Sequence, residues 1–399
     1  MEKFTNKVAS ILMSLSIILI SSCAQRVTVV DENASTEKFI FNDDETVVRT
    51  TKDVLGKMSL REKVGQLFIV RPEALAENSN AETAPATDRV DDAVISRIEE
   101  YPVGGIALFS RNITSAEQLP MFISDLQSSS KYPLFIAVDE EGGRVARIAN
   151  SDFFNVASYK SMEDIGKSGD ASKAEEVGRQ IGLYLKELGF NLDFAPVADT
   201  NTNPQNIVIG DRSYGSDPAL VACMVSAQLD GMHDSGIMGT LKHFPGHGDT
   251  KDDTHSGYVS IEKTWDELKE CELVAFITAL PKADMVMVSH ITAVNVTSDQ
   301  LPTSMSETMI TGKLRNELGY DGVIITDAMA MGAVADNYTS AEAAVTAVKA
   351  GVDIVLMPQN LDEAFNGVMN AVTDGEISMA RLDESVMRIL KLKARYKLI

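Results

Sequence analysis

Three cysteines in 399 residues are too few for a disulfide framework, and none shows the CxxC spacing of a structural metal site. Cys223 and Cys271 fall inside amphipathic helical stretches and are expected as small core residues. Basic residues are also scarce, 36 Lys and Arg against 58 Asp and Glu, which gives a net charge of −22. Holding a phosphate backbone requires clustered Lys and Arg, so nucleic acid is excluded as a partner. The N-terminal apolar run, residues 9–20, has 12 residues. That is short of the roughly 20 that span a bilayer. There is no internal repeat, no low-complexity tract, and no Pro- or Gly-rich linker after residue 50. Solenoids and strings of small domains are thereby set aside. What is present is apolar mass, 44% of the chain, enough to bury one large core.

The N-terminus reads as a targeting segment. Lys3 and Lys7 precede the apolar run, which ends at Ile20-Ser21-Ser22-Cys23. This resembles the lipobox of bacterial lipoproteins, in which the thiol of Cys23 would be diacylated and become the mature N-terminus. Residues 1–22 are then a signal peptide and residues 23–48 a polar, aperiodic tether. The folded body is expected over 49–399. Ala24 and Gln25 follow Cys23. The absence of Asp there favours the outer membrane of a cell envelope.

From residue 66 onward, eight short apolar runs alternate with helix-like segments: 66–70, 104–110, 134–139, 191–199, 236–244, 284–290, 322–327 and 352–357. Runs apolar at every position suit parallel strands covered on both faces. Eight of them alternating with helices suit an α/β fold, a single closed (β/α)8 barrel of the TIM type, with a doubly wound open sheet as the rival. Segments 219–235, 265–280 and 304–318 carry apolar residues at helical spacing, and Gly236, Gly319 and Gly351 are placed to stop helices. Ser110, Asp139, Asp199, His243, His290 and Asp327 all fall at or near the carboxyl end of a run. Barrel active sites are built at those ends, so one shared polar pocket is expected there.

The densest chemistry lies in Lys242-His243-Phe244-Pro245-Gly246-His247-Gly248-Asp249-Thr250, continuing to Asp253 and His255. Three of the five histidines occur within these residues. A metal site drawn from His243, His247, Asp249, Asp253 and His255 is one reading. Pro245, Gly246 and Gly248 weaken it, because they forbid the helix that would put His243 and His247 on one face. On the other reading, Lys242 and His243 end a strand as hydrogen-bond donors to a polar ligand. A loop then brings Asp253 beside His255 to orient the imidazole for proton transfer near neutral pH.

The motif KHFPGHGDT followed by Asp253-Thr254-His255 resembles glycoside hydrolase family 3, in its β-N-acetylglucosaminidase branch associated with peptidoglycan recycling. The stretches 139–147 (DEEGGRVAR), 209–215 (IGDRSYG) and 325–329 (ITDAM) agree with it. The resemblance covers about residues 50–399 and implies a (β/α)8 barrel. It implies a nucleophile at Asp327, an acid/base pair at Asp253 and His255, and sugar contacts at Asp139, Arg147, Arg212, Lys242 and His243. It implies no cofactor and no metal. Thr254 stands where the family usually has Ser, and Ala328 where a second acid often follows the nucleophile; neither change removes a catalytic group.

The activity so implied is retaining exo-hydrolysis of terminal β-linked N-acetylglucosamine, with a carbohydrate partner such as a peptidoglycan fragment and a membrane contact through Cys23. Within the same family a β-glucosidase-like or phosphorolytic activity is the alternative. A lipid-anchored solute-binding protein is the non-enzymatic one, and it leaves the His255 loop without a purpose.

Overall fold

Segments rich in Val, Ile, Phe and Met pair in parallel to form one eight-stranded sheet. The strands are β1 (Phe68–Val70), β2 (Gly105–Leu108), β3 (Phe135–Val138), β4 (Leu192–Asp193), β5 (Met238–Phe244), β6 (Met285–Val288), β7 (Val323–Thr326) and β8 (Val355–Leu356). The computed structural model describes residues 43–76, 84–250 and 259–399. Neighbours run β7-β6-β5-β4-β3-β2-β1-β8. A parallel bridge between Ile325 and Ile354 joins β7 to β8, and the Thr326 N–H donates to the Ile354 carbonyl at 3.0 Å. The sheet therefore closes into the expected (β/α)8 barrel, and no open edge is left. All seven residues of β5 are buried, as a strand covered on both faces requires.

Several boundaries differ from the sequence reading. The run 191–199 pairs as a strand only at Leu192–Asp193; Pro196 brings no N–H to a ladder, and the chain touches β5 again through a Val197–Lys242 bridge. The stretch 265–280 is two helices, Trp265–Glu270 and Glu272–Ala279, broken at Cys271, whose φ and ψ are −136° and −77°. The stretch 304–318 is a 3-10 turn, Thr303–Met305, followed by a π-helix, Thr308–Glu317. Gly236 (φ 80°) and Gly351 (φ 116°) end their helices in the left-handed region that side chains disfavour. Cys271 is free, and both it and Cys223 are only partly buried. The expectation of two plain core thiols is corrected accordingly.

The expected tether, 23–48, does not extend to its predicted end. Asp44 caps a helix, Glu45–Leu55, by accepting from the Val47 N–H at 2.8 Å. Asp43 pairs with Lys391 at 3.0 Å and Arg395 at 2.6 Å on the last helix, Met379–Arg395. The expected signal peptide, Cys23 and the expected tether up to residue 42 lie outside the described residues, as do Asp253 and His255.

At the amino end of β8 the fold depends on one buried acid. Asp353 is fully buried. It pairs with Arg315, lies 3.4 Å from Arg388 and 3.7 Å from Arg381, and accepts from the Ile324 N–H at 2.9 Å and the Ser385 hydroxyl at 2.6 Å. Burial alone would raise its pKa, but the three guanidinium groups hold it below the usual carboxylate value. Removing one side of such a network leaves uncompensated buried charge. Asp353→Ala is accordingly expected to cost about 3–5 kcal/mol, seen as a lower urea midpoint with an unchanged slope. A midpoint within error of the parent would refute the role given to Asp353.

Candidate active site

The site lies at the carboxyl ends of the strands, and its first wall is set by a buried glutamate. After β3 the chain turns at Gly142 (φ 86°) and Gly143 (φ 65°), a backbone region favoured by glycine. Glu140, fully buried, accepts from the N–H groups of Arg147 (2.6 Å), Ile148 (2.8 Å) and Ala149 (2.8 Å) and from the Tyr184 hydroxyl (2.8 Å). This clamp returns Arg147 to within 3.4 Å of Asp139. Arg144 then secures the neighbouring segment, meeting Asp211 at 3.0 Å and the Ile207 and Val208 carbonyls at 2.9 and 2.7 Å.

The second wall comes from β5 and the turn after it. Lys242, only 2% exposed, places Nζ 2.8 Å from Asp139 and 2.5 Å from Glu141. Arg212 grips Glu141 with two bonds, Nε at 2.8 Å and Nη2 at 2.7 Å. Burial would raise the pKa of Glu141, but Arg212 and Lys242 hold it far below the ordinary range. Glu141 thus links Lys242 to Arg212, a role its sequence gave no sign of beyond its place two residues after Asp139.

Asp199, fully buried, organises the histidines. It accepts from His243 Nδ1 at 2.7 Å, from the His243 N–H at 3.2 Å and from the His247 N–H at 2.6 Å. With Nδ1–H given to Asp199, His243 Nε2 is left to accept from Arg212 Nη2 at 3.3 Å. His247 meets the Thr250 hydroxyl at 2.7 Å through Nδ1, and burial lowers its pKa. Asp249 is engaged by Thr202 at 2.9 Å and Lys263 at 3.2 Å. Of the alternative metal set, His243 is engaged by Asp199 and Arg212 and Asp249 by Thr202 and Lys263, and no group of three or more possible metal ligands occurs among the described residues.

Asp327 follows β7, where its N–H donates to the Val288 carbonyl at 2.8 Å and its Oδ1 accepts from the Ala328 N–H at 2.8 Å. Burial acts to raise its pKa, but nearby His243 and His290, the Ala328 N–H and Lys242 lower it. Asp327 is ionised at neutral pH. His290 supports it from behind, bonding Ser304 through Nδ1 at 2.7 Å and the Ala328 carbonyl through Nε2 at 2.9 Å.

These groups line one cavity of 510 Å³ that includes Asp139, Glu141, Arg147, Arg212, Lys242, His243 and Asp327. Of the six polar strand-end residues, Asp139, His243 and Asp327 reach the cavity, Asp199 and His290 lie behind it, and exposed Ser110 is not part of its lining. Sequence reasoning missed Glu141, Arg71, Phe109, Met331 and Met357, which the barrel brings to the same cavity.

The sequence profile of the glycosyl hydrolase family 3 N-terminal domain matches residues 59–392. The chain belongs to glycosyl hydrolase family 3. Among family 3 relatives, beta-hexosaminidase A of Pseudoalteromonas piscicida is 35% identical over 75% of this chain and 54% of its own length. Beta-hexosaminidase LpqI of Mycobacterium tuberculosis is 31% identical over 84% of this chain and 83% of its own. The solved family 3 β-N-acetylglucosaminidase of Paenibacillus sp. superposes with a TM-score of 0.79 at 37% identity, covering 86% of this chain and 63% of that one. This chain thus spans just over half of one curated relative and most of the other.

Proposed function

We propose that this protein is a retaining exo-β-N-acetylglucosaminidase that removes terminal β-linked N-acetylglucosamine, with peptidoglycan fragments as the natural source. The observation that carries the reading is the Asp327 carboxylate set in a cavity walled by Asp139, Arg147, Arg212, Lys242 and His243. The beta-hexosaminidase relatives support it. A retaining enzyme needs a carboxylate to attack the anomeric carbon and a proton donor for the leaving oxygen.

In this reading Asp327 forms the glycosyl ester. His255, oriented by Asp253, protonates the leaving oxygen and then takes the proton of the incoming water. Asp139, Arg147, Lys242 and His243 hold sugar hydroxyl and carbonyl groups so that the anomeric carbon faces Asp327. Arg212 keeps Glu141 and His243 in place while presenting its own edge to the cavity.

The direct test is hydrolysis of 4-nitrophenyl β-N-acetylglucosaminide with and without chelator. Release of nitrophenol that survives chelation is expected; no release at all would remove the proposal, and loss on chelation would restore the metal reading.

The reading extends to lipid anchoring at Cys23 in the cell envelope, on the outer membrane, supported by the charged start, short apolar run and lipobox-like Ile20-Ser21-Ser22-Cys23. Acyl chains anchor by burying methylenes at about 0.8 kcal/mol each. Cys23→Ala is expected to move the protein out of the membrane fraction while its specific activity stays at the parent level. A variant retained in the membrane after a high-salt wash would show that Cys23 is not the anchor.

A further inference from the structure

The basic residues of the cavity differ in how they are neutralised. Lys242 pairs with Asp139 and Glu141, Arg147 with Asp139, and Arg212 with Glu141. Arg71, which follows β1 and lines the same cavity, pairs with no carboxylate among the described residues. Its Nε donates to the Met357 thioether at 3.3 Å, a weak acceptor, and among the described residues its Nη groups have no partner. Its guanidinium lies 5.0 Å from the centre of the Phe109 ring, and Arg147 lies 5.6 Å from the same ring. Phe109 therefore carries a second cation, one with no carboxylate partner among the described residues, next to the wall assigned to the sugar.

The position is built rather than incidental. Met357, directly after β8, has φ 46°, in the left-handed region that costs a non-glycine residue roughly 1–2 kcal/mol. Its backbone is held there at both ends, its N–H donating to the Ile69 carbonyl at 2.8 Å and its carbonyl accepting from the Ala330 N–H at 3.1 Å. This conformation presents the sulfur to Arg71 and so orients the guanidinium. Arg71 is partly exposed and Met357 buried, so the Nη edge is the part of the pair that a ligand in the cavity meets.

We propose that Arg71 forms an oxyanion subsite that selects saccharides bearing a carboxylate, a specificity that rests on the glycosidase reading above. A planar guanidinium with two N–H groups matches a carboxylate through paired hydrogen bonds. A neutral hydroxyl offers no such match. Free phosphate has the same oxyanion chemistry, and the measurement separates the two sources.

The test is calorimetric titration of the full chain carrying Asp327→Asn, which prevents turnover. The probes are N-acetylglucosamine β-linked to glucuronic acid and the methyl ester of that same disaccharide. With Arg71 present the acid is expected to bind about tenfold tighter than the ester, with the preference shrinking as salt rises. Arg71→Gln should bring the two dissociation constants together, and Arg71→Lys should restore part of the preference. A purely structural role for Arg71 would weaken both probes alike and leave their ratio unchanged.

An unchanged ratio in Arg71→Gln, or no preference in the presence of Arg71, overturns the proposal. So does inorganic phosphate that displaces the acid and the ester equally in an Arg71-dependent way, which would assign the site to free phosphate. Because the readout is binding, it stays interpretable even if the protein failed to hydrolyse the nitrophenyl substrate.

Discussion

Asp327→Asn is expected to lower kcat by roughly 10⁴- to 10⁶-fold, the scale at which removing a nucleophile acts in concerted active sites, while saccharide affinity stays within a few-fold of the parent. The amide keeps the oxygen that accepts from the Ala328 N–H at 2.8 Å, so the backbone after β7 has no reason to move. What disappears is the negative charge that His243, His290 and Lys242 stabilise, and with it the capacity to form a glycosyl ester. A mechanism-based fluorinated N-acetylglucosamine analogue should label the parent at Asp327 and leave Asp327→Asn unlabelled, as read by peptide mass mapping. A label on another residue, or a variant with activity within tenfold of the parent, would overturn the assignment.

His255→Ala is expected to reduce kcat/KM on a disaccharide by about 10²- to 10⁴-fold, the usual contribution of general acid–base catalysis. The loss on a nitrophenyl glycoside should be much smaller. A sugar alkoxide leaves poorly without a proton, whereas nitrophenolate departs readily. Loss of a simple binding contact would instead affect both substrates alike. Asp253→Ala should give the same contrast in milder form, since the imidazole remains but loses its orienting partner. Measuring both variants on both substrates settles the matter, and equal losses would refute proton transfer by this pair.

The cavity also shows why the sequence motifs take the form they do. In 139–147, Asp139 lines the cavity, Glu140 pins three N–H groups, Glu141 links Lys242 to Arg212, and the two glycines make the turn that brings Arg147 back. In 242–250, Lys242 and His243 face the cavity while the turn at Pro245-Gly246 returns the His247 N–H to Asp199. Each of these residues has a geometric duty, so a change at Glu140 or Asp199 acts on the cavity through the residues it holds.

The sequence by itself determined the eight strand segments, their parallel class and the barrel, because buried parallel strands are apolar at every position and alternate with helices. It also pointed to Asp139, Lys242, His243 and Asp327, because polar groups at the carboxyl ends of such strands have no packing reason to be there, and the barrel brings all four to one cavity. Its strand and helix limits were less sharp: the run 191–199 contains Pro196, and the helical pattern of 265–280 runs straight through the break at Cys271, since periodicity records which face is apolar and not where the backbone turns. Only the tertiary structure decided the Glu141 link, the Asp199 clamp beneath His243 and the approach of Arg71 to Phe109 and Met357. These contacts join residues dozens to hundreds of positions apart, and barrel closure, which places β8 beside β1, is what brings Met357 to Arg71.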